Sequence, residues 1–226
     1  MRELLLGVDI GTSACKVAVF NKQGEVIASG NGGYQVYYPH PGWAEQNPDE
    51  WWSAVCSAIG DVLKKGNVKP EEIKGIGQSW SAIPIDKDGN VLTNTPIWMD
   101  TRAQSICDRL NVEIGADNIF QVAGNSMQPS YSTAKILWYK ENMPEVYANT
   151  YKILQSNAFI VYRFTGICSQ DKSQGYGLHC FDMRTGTWNM EMCKKLGIPE
   201  SFLSDIYECS EIVGGVSEKA AKETGL

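Results

Sequence analysis

The segment Leu5-Leu6-Gly7-Val8-Asp9-Ile10-Gly11-Thr12-Ser13-Ala14-Cys15-Lys16-Val17-Ala18-Val19-Phe20 leaves this chain little choice at its start. An apolar run, an Asp-x-Gly-Thr turn and an alternating run predict two antiparallel strands joined by a tight connection. The tip of such a hairpin gathers one carboxylate, two hydroxyls and several backbone N–H groups, with Lys16 close behind. That inventory suits a phosphate with its divalent cation. The N–H groups and the lysine would meet phosphate oxygens, and the carboxylate would hold the metal, commonly through water. Asp-x-Gly also closes ordinary hairpins, so the segment taken alone reads equally well as structure only.

Beyond Phe20 the meander continues and then the hydrophobic period changes. Asn21-Lys22-Gln23-Gly24 turns the chain into a third strand over Glu25 to Tyr38. Asn47-Pro48-Asp49-Glu50 carries the signature of a helix start, with Trp52, Val55, Ile59, Val62 and Leu63 at helical spacing behind it. A strand is expected at Ile73 to Gln78, and a strand pair around Asp86-Lys87-Asp88-Gly89-Asn90. Helices are expected at Arg102 to Val112 and Ser130 to Asn142, the second stopped by Met143-Pro144. Strand Tyr151 to Leu154, helix Ser156 to Phe164 closed by Gly166, and strand Ile167 to Gln170 come next. A β pair with its turn at Arg184-Thr185-Gly186 and a helix over Asn189 to Leu196 complete the series. A meander followed by alternating helix and strand predicts an α/β domain with a mixed sheet.

Composition narrows the function classes. The 226 residues carry a net charge of −6, and their longest cationic runs are the pairs Lys64-Lys65 and Lys194-Lys195. That argues against a nucleic-acid surface, which needs clustered cations. No apolar stretch reaches the about 18 residues of a membrane span, and Met1-Arg2-Glu3 runs straight into a strand. Seven cysteines form no C-x-x-C pair and are odd in number, which predicts buried thiols in a reducing cytoplasm rather than disulfides or zinc. Neither G-x-x-x-x-G-K-[ST], nor G-x-G-x-x-G after the first strand, nor G-x-S-x-G is present. Any phosphate chemistry therefore falls to the Asp9 hairpin.

Four further stretches could carry chemistry. Tyr38 to Gln46 is rigid and aromatic, and Gly77-Gln78-Ser79-Trp80-Ser81-Ala82 leaves a strand end with polar and aromatic groups. Trp98-Met99-Asp100-Thr101-Arg102 places a carboxylate and a guanidinium two residues apart, and Asp171 to Gly177 puts an acid in a polar, glycine-containing segment. Singly, each has an ordinary reading: a capping Asp100, an exposed Arg102, a loop Asp171. Together, in this order, they resemble the N-terminal domain of the FGGY family of carbohydrate kinases, most closely its xylulokinase-like branch. The resemblance runs from Asp9-Ile10-Gly11-Thr12-Ser13 with Lys16, through Pro41-Gly42-Trp43-Ala44-Glu45-Gln46 and Trp51-Trp52, to Gly77-Gln78 and Trp98-x-Asp100-x-Arg102. Ser132-Thr133-Ala134-Lys135-Ile136-Leu137-Trp138, Thr165-Gly166 and Asp171-x-Ser173 close it.

That resemblance implies an actin-like (ribonuclease H-like) fold with a mixed five-stranded sheet flanked by helices. It implies one domain over residues 1–226, the sugar-binding half of a kinase that uses ATP and Mg2+, with the nucleotide-binding domain expected beyond Leu226. By carry-over Asp9 resembles the metal-holding carboxylate, and Gly11, Thr12, Ser13 and Lys16 sit near the transferred phosphate. Gln78, Ser79 and Trp80 occupy the sugar-contact segment, with Asp100 and Arg102 beside it, and Asp171 resembles the catalytic aspartate. A sugar hydroxyl is too weak an acid for an ordinary carboxylate, of pKa about 4, to ionise beforehand. Such a base acts only as the new bond forms, for roughly 10²–10⁴-fold in rate.

Three departures bear on the reading. The family runs to about twice this length, so the isolated chain is expected to be inactive, and a surface left for the second domain leaves a homodimer open. Ser79-Trp80 stands where xylulokinases usually carry Met-His, which puts the pentulose substrate (xylulose) in question. Ala158 and Tyr139 replace an aspartate and an aliphatic residue common in relatives. The competing readings are a non-catalytic sugar-binding or sensor module, and another actin-like ATPase. Retention of Asp9 and Asp171 speaks against the first, and Pro41 to Gln46 with Trp98-x-Asp100-x-Arg102 against the second.

Overall fold

The computed structural model describes residues 3–77 and 81–226. Its sheet starts as the alternation dictates. Strands β1 (Leu4–Ile10) and β2 (Ala14–Phe20) pair antiparallel with Asp9 opposite Lys16, and β2 pairs antiparallel with β3 (Val26–Gly33). Leu4, Leu6, Val8 and Ile10 share one buried face with Cys15, Val17 and Val19, and the period of two throws Asp9 and Lys16 onto the other. The third strand ends five residues earlier than its sequence suggests, at Gly33. Beyond it Tyr37 makes only an isolated bridge to Glu45.

A short strand β4 (Glu45–Gln46) leads into α1 (Pro48–Lys65), which lies on the apolar face. The Asn47 side chain accepts from the Asp49 N–H, Pro48 opens the helix, and Lys64 and Lys65 complement its C-terminal end. Helix and sheet approach closely because Gly32 has no side chain. A Cβ there would lie 2.8 Å from the Ala54 carbonyl oxygen and 2.9 Å from the Ala54 Cβ.

Strand β5 (Ile73–Gly77) joins β1 in parallel, so the sheet is mixed, in the order β3-β2-β1-β5. Among the described residues it has four strands rather than the expected five. The next strand, β6 (Ile83–Ile85), turns away from that sheet. The chain then passes through β7 (Thr95–Pro96), which pairs with β4, and through helices α2 (Gln104–Leu110), α3 (Ala116–Ala123), α4 (Ser132–Asn142) and α5 (Pro144–Asn149). It returns as β8 (Lys152–Leu154), the antiparallel partner of β6. The strand pair expected around Asp86 to Asn90 is thus reduced to the turn itself and an Ile85–Val91 bridge.

Helix α6 (Ser156–Thr165) ends at Gly166 in the left-handed region, as its sequence indicates. Strand β9 (Ser169–Asp171) comes next, then the hairpin β10 (Phe181–Asp182) and β11 (Thr187–Trp188) and the helix α7 (Met190–Leu196) capped by Asn189. Strand β12 (Asp205–Tyr207) pairs in parallel with β9, and α8 (Glu218–Thr224) packs against α1 and α6. Two apolar clusters result. One joins the sheet to α1, α6 and α8, and the other joins α2, α3, α4 and α7. All seven cysteines are free thiols. Among the described residues no helix is long and apolar enough to cross a membrane, and no group of three or more His, Cys, Asp or Glu is placed to hold a metal.

Candidate functional site

The hairpin tip opens onto a cleft of about 270 Å³ lined by Asp9, Gly11, Thr12, Gln46, Trp98 and Ser156, with Ile10, Trp51, Ser81 and Ile97 completing the wall. Its geometry derives from the turn. Gly11 N–H donates to the Ala14 carbonyl (3.0 Å), and the Gly11 carbonyl accepts from the Tyr34 hydroxyl (2.6 Å). Gln46, itself buried, donates to the Thr12 and Gln35 carbonyls (2.8 and 3.0 Å). Trp98 Nε1–H donates to Thr12 Oγ1 (3.2 Å), which leaves the Thr12 hydroxyl proton free to point at a ligand. Asp9 stands at the mouth, 3.6 Å from the Lys16 ammonium across the β1–β2 pair.

A carboxylate and a hydroxyl at one rim form a polar end able to take a phosphate and a cation, with the Lys16 ammonium paired to that carboxylate from an adjacent groove that Asp9 also lines. The indole of Trp98, 58% exposed, is a flat apolar wall beside them. The volume sits at the low edge of small-molecule sites, which run about 300 to 1,000 Å³. Such a cleft suits a small hydroxylated molecule.

The structure sorts the sequence-predicted residues into distinct groups. Asp9, Gly11 and Thr12 line the cleft, with Lys16 beside Asp9. Ser13 lines a neighbouring groove with Gly33, Tyr34 and Asn47 instead. Gln78, Ser79 and Trp80 lie outside the described residues.

Asp100 and Arg102 are not cleft-lining residues. Arg102 is buried, its guanidinium stacked 3.8 Å from the Trp43 ring centroid and 4.9 Å from that of Trp138. It donates through Nε to both Asp100 oxygens (3.0 Å each), and through Nη2 to Asp100 Oδ2 (2.8 Å) and Glu45 Oε2 (2.9 Å). Asp100 also accepts from the Ala44 and Arg102 N–H groups (2.6 and 2.9 Å). Every oxygen of Asp100 is thus committed inside the protein, tying the Trp43–Gln46 segment to the turn that carries Trp98. Both side chains are buried outside the cleft lining, and the pair braces the wall from behind.

Asp171 ends β9 away from the cleft lining. Its Oδ1 accepts from Ser173 Oγ (2.5 Å), Gln174 N–H (3.1 Å) and the Cys209 thiol (3.9 Å), and its Oδ2 accepts from Asn157 Nδ2. An incoming hydroxyl would have to compete with four donors for this carboxylate. That is the setting of a group that pins a loop.

Sequence reasoning missed Ser156, reached Gln46 only as the end of the Tyr38–Gln46 stretch, and took Trp98 only as a flank of Asp100. A signal for Trp98 was available: a large aromatic beside a motif of two charged residues, in a chain where the charges themselves have partners.

The chain matches the model of the FGGY family of carbohydrate kinases, N-terminal domain, over residues 4–226. It is 31% identical over 226 residues to the xylulose kinase of Escherichia coli (strain K12), covering 99% of this chain and 46% of that protein. It is 29% identical over 225 residues to the xylulose kinase of Bacillus subtilis (strain 168), covering 98% and 45% respectively. The crystal structure of gluconate kinase from Lactobacillus acidophilus superimposes on the whole chain and on 46% of that chain, with a TM-score of 0.91 at 28% identity. The chain thus spans about half the length of the relatives it matches. With a matching model over nearly every residue and the same fold in a solved carbohydrate kinase, this chain belongs to the FGGY family of carbohydrate kinases.

Proposed function

We propose that this chain is the sugar-binding lobe of an ATP-dependent kinase that transfers the γ-phosphate of ATP to a hydroxyl of a ketose or polyol, a pentulose such as xylulose being the best candidate. The observation that carries it is the cleft in which Asp9 and Thr12 face Trp98. The sugar would lie against the indole, whose face suits the C–H surface of a sugar ring or chain. Its reacting hydroxyl would point toward the hairpin tip, where Lys16 and the Thr12 hydroxyl meet the transferred phosphate.

A lone carboxylate is a poor cage for a resident metal but fits a Mg2+ that arrives with phosphate and water ligands already in place. Asp9 is the residue that would hold such an ion, and the ion would neutralise charge on the transferring phosphoryl group. Similarity to both xylulose and gluconate kinases supports a sugar or sugar acid and leaves the choice between them to the segment 78–80. The nucleotide would bind against a second domain. Asp171 serves in this reading as a loop anchor rather than as the proton acceptor.

The test is ADP release by the full-length protein with Mg2+, ATP and a panel of ketoses, aldoses, sugar acids and polyols, alongside an Asp9→Asn variant. One sugar is expected to support turnover that Asp9→Asn reduces by orders of magnitude. Full turnover in Asp9→Asn, or ADP release indifferent to every sugar, would refute the assignment.

A further inference from the structure

Trp98 forms the cleft wall from a β-turn in which Asp100 N–H donates to the Ile97 carbonyl (3.1 Å) and Ile97 N–H to the Ala44 carbonyl (2.9 Å). Its indole is largely exposed and makes one hydrogen bond, to Thr12. A ring so lightly held is placed by its backbone. On the far side of that turn lies Lys135 of α4, fully buried, whose ammonium donates to the Ile97 carbonyl (2.9 Å) and to the Ser130 carbonyl (2.9 Å).

A lysine here has no packing rationale. A methionine would fill similar volume without the desolvation that an ammonium suffers in the interior. Burial pushes the Lys135 pKa down to about 7, with Asp100 and Cys107 pulling it up and Arg102 pushing it down. What the lysine provides that an apolar chain cannot is a strong donor that reaches two carbonyls at once, one at the root of Trp98 and one just before α4. The Asp100–Arg102–Glu45 network clamps the other end of the same turn.

We propose that Lys135 is a positioning residue for the sugar site: it fixes the Ile97–Asp100 turn and thereby holds Trp98 in the cleft wall. The inference rests on the reading of the cleft as a sugar site, and its test separates the two. In the full-length protein, sugar KM, kcat and Tm are measured for Trp98→Ala, Lys135→Met and the double variant, with D-xylulose as the first probe sugar and any better substrate from the panel as the second. Trp98→Ala should raise KM by about tenfold or more. Lys135→Met should raise it by roughly threefold to tenfold, the size of one lost hydrogen bond, with kcat within about twofold. In the double variant the Lys135 effect on KM should vanish, because its target is gone, while the loss of Tm persists.

A Lys135→Met variant with unchanged KM, or one whose KM effect multiplies in full with that of Trp98→Ala, overturns the positioning role and leaves the site reading standing. An unchanged KM in Trp98→Ala overturns both. Lys135→Gln, whose neutral NH2 group still donates, should fall between Lys135 and Met. If Lys135→Met does not fold, Lys135→Gln is held to the same criteria. The 19F resonance of 5-fluorotryptophan at position 98 gives an independent readout. It should shift or broaden in the Lys135 variants, and an unmoved signal counts against the proposal.

Discussion

Replacing Arg102 by methionine is the sharpest test of whether the Asp100–Arg102 pair supports the fold or touches substrate. The change removes a guanidinium whose side chain is 3% exposed from a carboxylate whose side chain is 0% exposed. Breaking a buried pair by deleting one partner costs about 3–5 kcal/mol, because the other charge stays behind unpaired. Asp100 keeps two backbone donors, from Ala44 and from residue 102, which offsets part of that loss. Loss of the stacked faces of Trp43 and Trp138 pushes the other way, by about 0.5–2 kcal/mol. The two corrections are similar in size, so the expected destabilisation stays near about 3–4 kcal/mol, a large share of a typical domain's 5–15 or so. Urea unfolding monitored by tryptophan fluorescence reads this as a lower midpoint at unchanged slope. Asp100→Asn combined with Arg102→Met should cost less than the sum of the singles by more than about 1 kcal/mol, since the double variant no longer leaves the Asp100 charge buried and unpaired, while Glu45 loses Arg102 in both backgrounds. A loss below about 1 kcal/mol in Arg102→Met, or single effects that simply add, would refute the brace. A raised sugar KM with unchanged stability would return the pair to the substrate.

Two further outcomes are expected. Asp171→Asn should lower stability by about 1–3 kcal/mol, because an amide NH2 set against the Asn157 donor breaks part of the loop's bonding, while kcat in the full-length protein changes less than about tenfold. A kcat loss of a hundredfold or so at unchanged Tm would instead make Asp171 the base. His179 is held at about pKa 4 by burial, with its ring between the Thr133 hydroxyl and the Ser126 carbonyl. The folded protein therefore keeps it neutral while the unfolded chain takes up a proton below its ordinary value of about 6.5. The stabilisation is complete above that pH and is lost as pH falls toward 4, by up to about 3 kcal/mol. Unfolding free energies of the natural chain and of His179→Gln at pH 7 and pH 4.5 should converge at the acid end, and parallel curves would contradict the assignment.

The elements that the sequence made legible are those in which one local signal acts without rivals. The β1–β2 hairpin, the Asn47 cap of α1, the Gly166 end of α6 and the Asn189 start of α7 each rest on a cap, a turn or a strict alternation. The misses fall where tertiary pairing decides. Ile83–Ile85 has strand character, but only the return of Lys152–Leu154 some seventy residues later determines that it leaves the main sheet. Helix α3 went unforeseen because Ala116 to Ala123 offers few core anchors, Ile119 and Ala123 being its buried positions. Pro144, a stop signal for α4, also starts α5, since proline suits the first position of a helix.

The candidate site divides along the same line. Asp9, Gly11 and Thr12 belong to one turn, so their proximity was fixed by chain connectivity alone. Trp98-x-Asp100-x-Arg102 reads as one functional unit in the sequence, yet the turn at Ile97–Asp100 sends its members in opposite directions. Trp98 goes to the cleft, and Asp100 and Arg102 go to a pocket built by Trp43, Glu45 and Trp138. Charge made the buried pair conspicuous in the sequence, and burial is what charge at two nearby, mutually paired positions can tolerate at an energetic cost. The residue left facing solvent is the apolar one. In a chain of this kind an exposed tryptophan held by a buried ionic brace is a stronger pointer to the ligand than the ions themselves, because the brace has no unsatisfied valence left to offer.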